Sequence, residues 1–240
     1  MEQNKQRIVV KVGTSTLTHN SGALDLWSME HLVRTLADLQ GMGHEVILVS
    51  SGAIAVGTAK LGLSERPKEL RMKQAAAAVG QCRMMHIYDK FFSEYNRSMA
   101  QILLTGDDVE DPERAEHLSN TFSALLEMGV IPVVNENDSV SSAEIETGRH
   151  KVLGDNDTLS AIVAELCRAD LLVLLSDIDG LYDADPKTHP EAKLLHQVTE
   201  LTPEILEMAG GAGSWRGTGG MATKLSAARI AMAAGCDMVI

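Results

Sequence analysis

The chain has 240 residues, of which 45% are hydrophobic and only 3% aromatic, so Leu, Val, Ile, Ala and twelve Met must fill its interior. Its formal net charge of -12 at pH 7 and pI of about 5.1 oppose non-specific contact with nucleic acid or anionic membrane. An anion site in such a chain has to be assembled locally, from a few lysines and helix N-termini, with or without a metal ion.

Ile8-Val9-Val10-Lys11-Val12 is a β-branched run closed by Gly13-Thr14-Ser15, the pattern of a buried strand entering a glycine turn. Lys11 is anomalous there, because a buried ammonium needs compensation unless its stem snorkels to the surface. Met29, Leu32, Val33, Leu36 and Leu39 recur at helical spacing between Trp27 and Leu39, and Gly41 and Gly43 end that helix. A second strand, Glu45 to Val49, ends in Ser50-Ser51-Gly52-Ala53 and leads into helices at Ile54 to Leu61 and about Glu69 to Tyr95. The run Ala75 to Ala78 in the longer helix permits close helix packing.

A third strand, Ala100 to Leu104, leads to the acidic turn Asp107-Asp108-Val109-Glu110-Asp111, read as solvated turn chemistry with metal binding as the alternative. A helix around Arg114 to Met128 precedes the strand Val130 to Val134, which delivers Asn135-Glu136-Asn137-Asp138. Residues 139–153 are polar, a loop or small hairpin, and Gly154-Asp155-Asn156-Asp157 opens a helix carrying Leu159, Ile162, Val163 and Leu166. One Asp suffices for an N-cap, and Asp-Asn-Asp exceeds that need. Leu171 to Leu175 is an uninterrupted apolar strand, predicted to be central and covered on both faces, and it ends in Ser176-Asp177. A turn-rich stretch runs to Pro190, a short helix starts at Thr202-Pro203, a helix spans Ala222 to Ala234, and Asp237 to Ile240 forms a last strand.

Gly217-Thr218-Gly219-Gly220-Met221-Ala222-Thr223-Lys224 places three glycines and a lysine at that last helix start. Backbone N–H groups and the lysine suit a phosphate. The run is not the P-loop, since Leu225 follows the lysine, and a loop rather than a strand precedes it, which argues against a dinucleotide site.

Strands alternating with helices predict right-handed crossovers and a mainly parallel sheet between helix layers, in one large domain. Parallel strands deliver their ends to one edge, so Lys11 with Gly13, Ser51 with Gly52, Asn135 to Asp138, Ser176 with Asp177, and Lys224 would share a cleft. Two lysines with helix N-termini suit in-line phosphoryl transfer, which needs no nucleophilic side chain. Cys82, Cys167 and Cys236 are odd in number and far apart, suggesting neither a disulfide framework nor a zinc site and fitting a reducing cytoplasm. Met1 to Lys5 lacks a signal-peptide core, and no stretch approaches the ~18 apolar residues of a membrane span.

The segments VVKVGTS, LVSSGAIAVG, AAAAVGQ, VVNENDSV, LGDNDTLSA, SDIDGLYDADP and GTGGMATK, in this order, resemble the amino acid kinase family. The resemblance implies an α/β fold, an αβα three-layer sandwich with a mainly parallel central sheet. It implies ATP-dependent phosphorylation of the L-glutamate side-chain carboxylate, the first step of proline biosynthesis, with Mg²⁺ on the ATP phosphates. A kinase for another small carboxylate, such as acetylglutamate, aspartate or carbamate, is the neighbouring alternative, and an inactive nucleotide-binding module the more distant one. Carried over by position, Lys11 and Lys224 stabilise the moving phosphoryl and Asp157 orients them. Ser51, Gly52, Asp138 and Asn156 hold the substrate, with Asp138 toward its ammonium. Lys11, Ser176, Asp177, Thr218, Gly219, Gly220, Met221, Ala222, Thr223 and Lys224 line the ATP site.

Also implied are proline as a feedback inhibitor, a homo-oligomer (dimer or tetramer) and a cytoplasmic location. Residues 1–240 are read as a kinase domain that stops before its last strands, without the small C-terminal PUA domain that many bacterial members carry. The stretch Glu146 to Lys151 is longer than in some relatives and would alter a lid.

Overall fold

The computed structural model describes residues 5–140, 155–186, 188–208 and 220–240. In chain order the elements begin with β1 (Arg7–Val12), α1 (Thr14–Leu17), α2 (Leu26–Gly41), β2 (Glu45–Val49) and α3 (Ala53–Lys60). They continue with α4 (Leu70–Glu94), β3 (Met99–Leu104), α5 (Gly106–Glu110), α6 (Pro112–Glu127) and β4 (Ile131–Glu136). Last come α7 (Asn156–Cys167), β5 (Leu171–Leu175), α8 (Pro203–Met208), α9 (Met221–Ala233) and β6 (Asp237–Val239).

The strands form one six-stranded sheet in the order β3-β4-β2-β1-β5-β6, and every neighbouring pair is parallel. The alternation of side chains along a strand divides the apolar residues between two cores. Ile8, Val10, Val12, Val46 and Leu48 face Met29, Leu36, Met84 and Phe92 of α2 and α4 on one side. Val9, Ile47, Val49, Leu172 and Leu174 face Phe122, Leu159 and Ala227 of α6, α7 and α9 on the other. This is the expected αβα sandwich.

Three expectations change. β5 is not central: it lies between β1 and the edge strand β6, with Leu172 and Leu174 buried but Leu171, Val173 and Leu175 only half-buried. An apolar run marks burial but carries no information on strand order. β4 continues through Asn135 and Glu136, which pair with Leu103 and Leu104 of β3, so Asn135 is inside the sheet rather than past its end. The acidic turn is the helix α5, whose capping box uses Thr105 and Asp108.

One packing feature holds α3 close against α4. α3 and α4 touch backbone to backbone, because a Cβ on Gly57 would lie 1.7 Å from the Ala76 carbonyl oxygen and one on Gly80 would lie 1.8 Å from that of Ala53. Glycine is required at both positions by space, and the small residues of the AAAAVGQ segment find their reason here.

Candidate active site

At the carboxyl edge of the sheet, β1 brings Lys11 to the N-terminus of α7. Asp155 is the N-cap of that helix and accepts from the Asp157 and Thr158 N–H groups at 2.8 and 2.9 Å. With the cap satisfied by Asp155, the second Asp of the motif is released for another use. Asp157 is 4% exposed. Its Oδ1 lies 2.7 Å from Lys11 Nζ and its Oδ2 3.3 Å from Lys224 Nζ, and the Thr223 hydroxyl donates to Oδ2 at 2.8 Å. Burial pushes the Asp157 carboxyl up, but the Lys11 and Lys224 ammoniums and the Thr223 hydroxyl outweigh it and hold the group below the usual 3.8.

Two nearly buried cations therefore share one carboxylate, and the triad retains one positive charge. A surplus of buried charge is costly unless an anion completes it. The α9 N-terminus points to the same need, since Gly220, in the left-handed region with φ 104°, provides no side-chain cap to its N–H groups.

The triad stands where two cavities meet. One, of about 350 Å³, is lined by Lys11, Gly13, Thr14, Ser51, Gly52, Arg66, Asn135, Asp138, Asp155, Asn156 and Asp157 among others. The second, of about 550 Å³, is lined by Ser176, Asp177, Tyr182, Pro186 and Met221 among others. Gly220 and Lys224 belong to both walls. The structure thus splits the single cleft read from the sequence into a pair of chambers joined at Lys224.

In the first chamber the Ser51 hydroxyl donates to the Val12 carbonyl at 2.9 Å and accepts from the Thr14 hydroxyl at 3.4 Å. Gly52 holds φ 97° as the N-cap of α3, a left-handed conformation that favours glycine. Asn156 donates to the Ser50 carbonyl at 2.7 Å. Asp138 lines this chamber together with Asn156. Thr218 and Gly219, like the 146–151 stretch, lie outside the described residues. Met221, Ala222 and Thr223 form the first turn of α9.

Arg66 and Thr14 were not singled out from sequence. Arg66 sits in the polar link between α3 and α4, and no local pattern distinguishes it from other surface arginines. Two acids of the 107–111 stretch are engaged locally: Asp108 accepts from Thr105 N at 2.8 Å and pairs with Arg114 at 3.0 Å, and Asp111 caps α6.

An open, all-parallel α/β sheet with two lysines and a shared carboxylate in its carboxyl-edge cleft is the class of fold that places ligand sites at that edge. The chain belongs to the amino acid kinase family, whose model matches residues 6–240. It is 56% identical over 238 residues to a glutamate 5-kinase of Clostridium perfringens, covering 99% of this chain and 88% of that one. A glutamate 5-kinase of Clostridium tetani is 54% identical over 235 residues, covering 98% and 86%. Among solved structures, a carbamate kinase from Giardia lamblia bound to AMP-PNP superposes with a TM-score of 0.65 at 15% identity, covering 100% of this chain and 93% of that chain. A UMP kinase from Ureaplasma parvum does so at 0.60 and 15%, covering 98% and 89%. At that identity the structural likeness speaks for the fold.

Proposed function

We propose that this protein transfers the γ-phosphoryl group of ATP to the side-chain carboxylate of L-glutamate, giving glutamyl 5-phosphate for proline biosynthesis. The observation that carries the reading is the Lys11–Asp157–Lys224 triad, a nearly buried unit of two ammoniums on one carboxylate at the junction of two cavities. Identity above 50% to glutamate 5-kinases over nearly the whole chain supports glutamate as the acceptor.

ATP occupies the chamber of Ser176, Asp177 and Met221, with its terminal phosphate at the α9 N-terminus. The described part of the glycine run, Gly220 to Lys224, fits that group through free N–H groups and the Lys224 ammonium. Thr218 and Gly219, which lie outside the described residues, are assigned to ATP binding on the family resemblance alone. Mg²⁺ would be held by the ATP phosphates rather than by protein carboxylates and would offset part of their negative charge.

Glutamate occupies the chamber of Ser51, Gly52, Asp138 and Asn156. Asp138 attracts its ammonium, and Arg66, on the rim of that chamber, receives the α-carboxylate. A side-chain carboxylate oxygen attacks the γ-phosphorus in line while the bond to the β,γ-bridging oxygen breaks and ADP departs. The attacking group is already ionised near pH 7, so no general base is needed. Lys11 and Lys224 stabilise the charge on the moving phosphoryl, and Asp157 fixes both ammoniums before the substrates arrive.

Proline inhibition, assembly into a homo-oligomer and a cytoplasmic location belong to the same proposal and rest on the family resemblance. No described helix is long and apolar enough to cross a membrane. The deciding experiment mixes the purified chain with ATP, Mg²⁺ and a panel of acids in hydroxylamine, which traps an acyl phosphate as its hydroxamate. A signal with glutamate is expected; a signal only with N-acetylglutamate, aspartate or carbamate reassigns the acceptor.

A further inference from the structure

The long helix α4 contributes polar groups to the sheet interior that the phosphoryl transfer does not use. Gln81 and Tyr88 are seven residues apart and so share a helix face. They are 7% and 0% exposed. Tyr88 Oη is 3.0 Å from the hydroxyl of Ser50, which is wholly buried. Gln81 Oε1 accepts from Asn135 Nδ2 at 2.9 Å. The same two partners meet Asn156: its Nδ2 donates to the Ser50 carbonyl at 2.7 Å and to Asn135 Oδ1 at 3.3 Å.

The direction of this chain of hydrogen bonds follows from one backbone group. The Ser50 carbonyl can only accept, so the Asn156 atom against it is the nitrogen. With one N–H on Ser50, the other meets Asn135 through its oxygen, so Asn135 turns its own nitrogen to Gln81, and Gln81 must answer with its oxygen. The Gln81 nitrogen is then left buried without a partner among the described residues. Such a donor costs stability. A methionine of similar volume would fill the site without it, so folding alone does not explain the glutamine.

We infer that Gln81 and Tyr88 are positioning residues for substrate recognition. They hold Asn135 and Ser50 so that both N–H groups of Asn156 are spent inward, leaving its side-chain oxygen as the atom offered to the cavity. That oxygen has no hydrogen-bond partner among the described residues, and Asn156 lines the first chamber. The chamber therefore presents an acceptor, which recognises the N–H donors of a free amino group and gives none to an acyl oxygen. The inference rests on the reading of that chamber as the amino acid site.

The test uses the full chain with ATP, Mg²⁺ and glutamate, following hydroxamate formation and thermal unfolding. Gln81→Met retains the volume and removes the acceptor. Its glutamate KM is expected to rise about tenfold, the scale of one lost hydrogen bond, with the ATP KM within about twofold. Its melting temperature is expected within about 3 °C of wild type, since one unpaired donor replaces another. Tyr88→Phe removes a single oxygen and is expected to raise the glutamate KM about threefold. An unchanged glutamate KM in a folded variant overturns the inference, and Tyr88→Phe decides the matter if Gln81→Met does not fold. Equal rises in both KM values with a lowered melting temperature also overturn it, showing a purely structural pair. Wild-type protein that phosphorylates another acid but not glutamate overturns the substrate assignment instead, and the same KM comparison is then made with that acid.

Discussion

Asp157 Oδ1 and Lys11 Nζ, brought together from the start of α7 and the end of β1, lie 2.7 Å apart, and both side chains are almost excluded from solvent. The pair is weak evidence for stability, because two charges lost their hydration to form it. Its second lysine, Lys224, gives the unit a net positive charge rather than making it a neutral bridge, as the proposed phosphoryl site requires.

Removing a charge from the receptor should therefore act on turnover more than on binding. Lys224→Met and Lys11→Met are each expected to lower kcat by about 10² or more, the scale of a lost preorganised electrostatic contact. Steady-state hydroxamate assays check this, and wild-type turnover in either variant removes that lysine from the mechanism.

Asp157→Asn should affect stability as well, since it leaves two nearly buried ammoniums facing a neutral amide. A loss of about 3 kcal/mol or more in unfolding free energy is expected at pH 7. Chemical denaturation measures it.

The same variant reports the pH dependence. The Asp157 carboxyl is held below its ordinary 3.8 in the folded protein, so its contribution to stability is fully present above that value. It is lost as pH falls through the lower, folded-state value. The stability gap between wild type and Asp157→Asn is thus expected to be constant from neutral pH down to about 5 and to shrink in stronger acid. A gap that instead closes between pH 6 and 8 would assign the dependence to another group.

Gly80→Ala should force α3 and α4 apart, because its Cβ would fall 1.8 Å from the Ala53 carbonyl. A loss of about 3 kcal/mol is expected. α3 begins at Gly52 and Ala53, so the glutamate KM should rise with it. Gly129→Ala is the control: it meets nothing within 4 Å, and only its left-handed φ of 71° is strained, at a cost of about 1 kcal/mol. Comparable melting temperatures for the two variants would discard the packing argument.

Asp155 and Asp111 both cap helices, and each cap should be worth about 1 kcal/mol on substitution by Ala. Only Asp155 holds the turn that carries Asn156 and Asp157. Asp155→Ala is expected to raise the glutamate KM, whereas Asp111→Ala lowers the melting temperature alone.

Much of the fold was legible because its signals are local. The β-branched run at Val9 and Val10, the helical period from Met29 to Leu36, and the glycine that ends α9 each describe a segment by itself. Lys11 was visible as an anomaly for the same reason. β5 misled because an uninterrupted apolar run reports burial, and the residues that decide its neighbours lie in β1 and β6.

The sequence by itself determined the αβα class, the parallel edge where strand ends meet, and a pair of lysines beside glycine turns. Periodicity, turn chemistry and charge are properties of neighbours along the chain, and they need no partner to be read. The family resemblance assigned Asp157 to both lysines, and the tertiary structure supplied the contacts; only the tertiary structure decided that Arg66 reaches the first chamber and that Gln81 is bonded to Asn135 rather than buried as filler. Those facts depend on the close approach of α3 to α4 and on the order of the strands, which packing between distant residues sets.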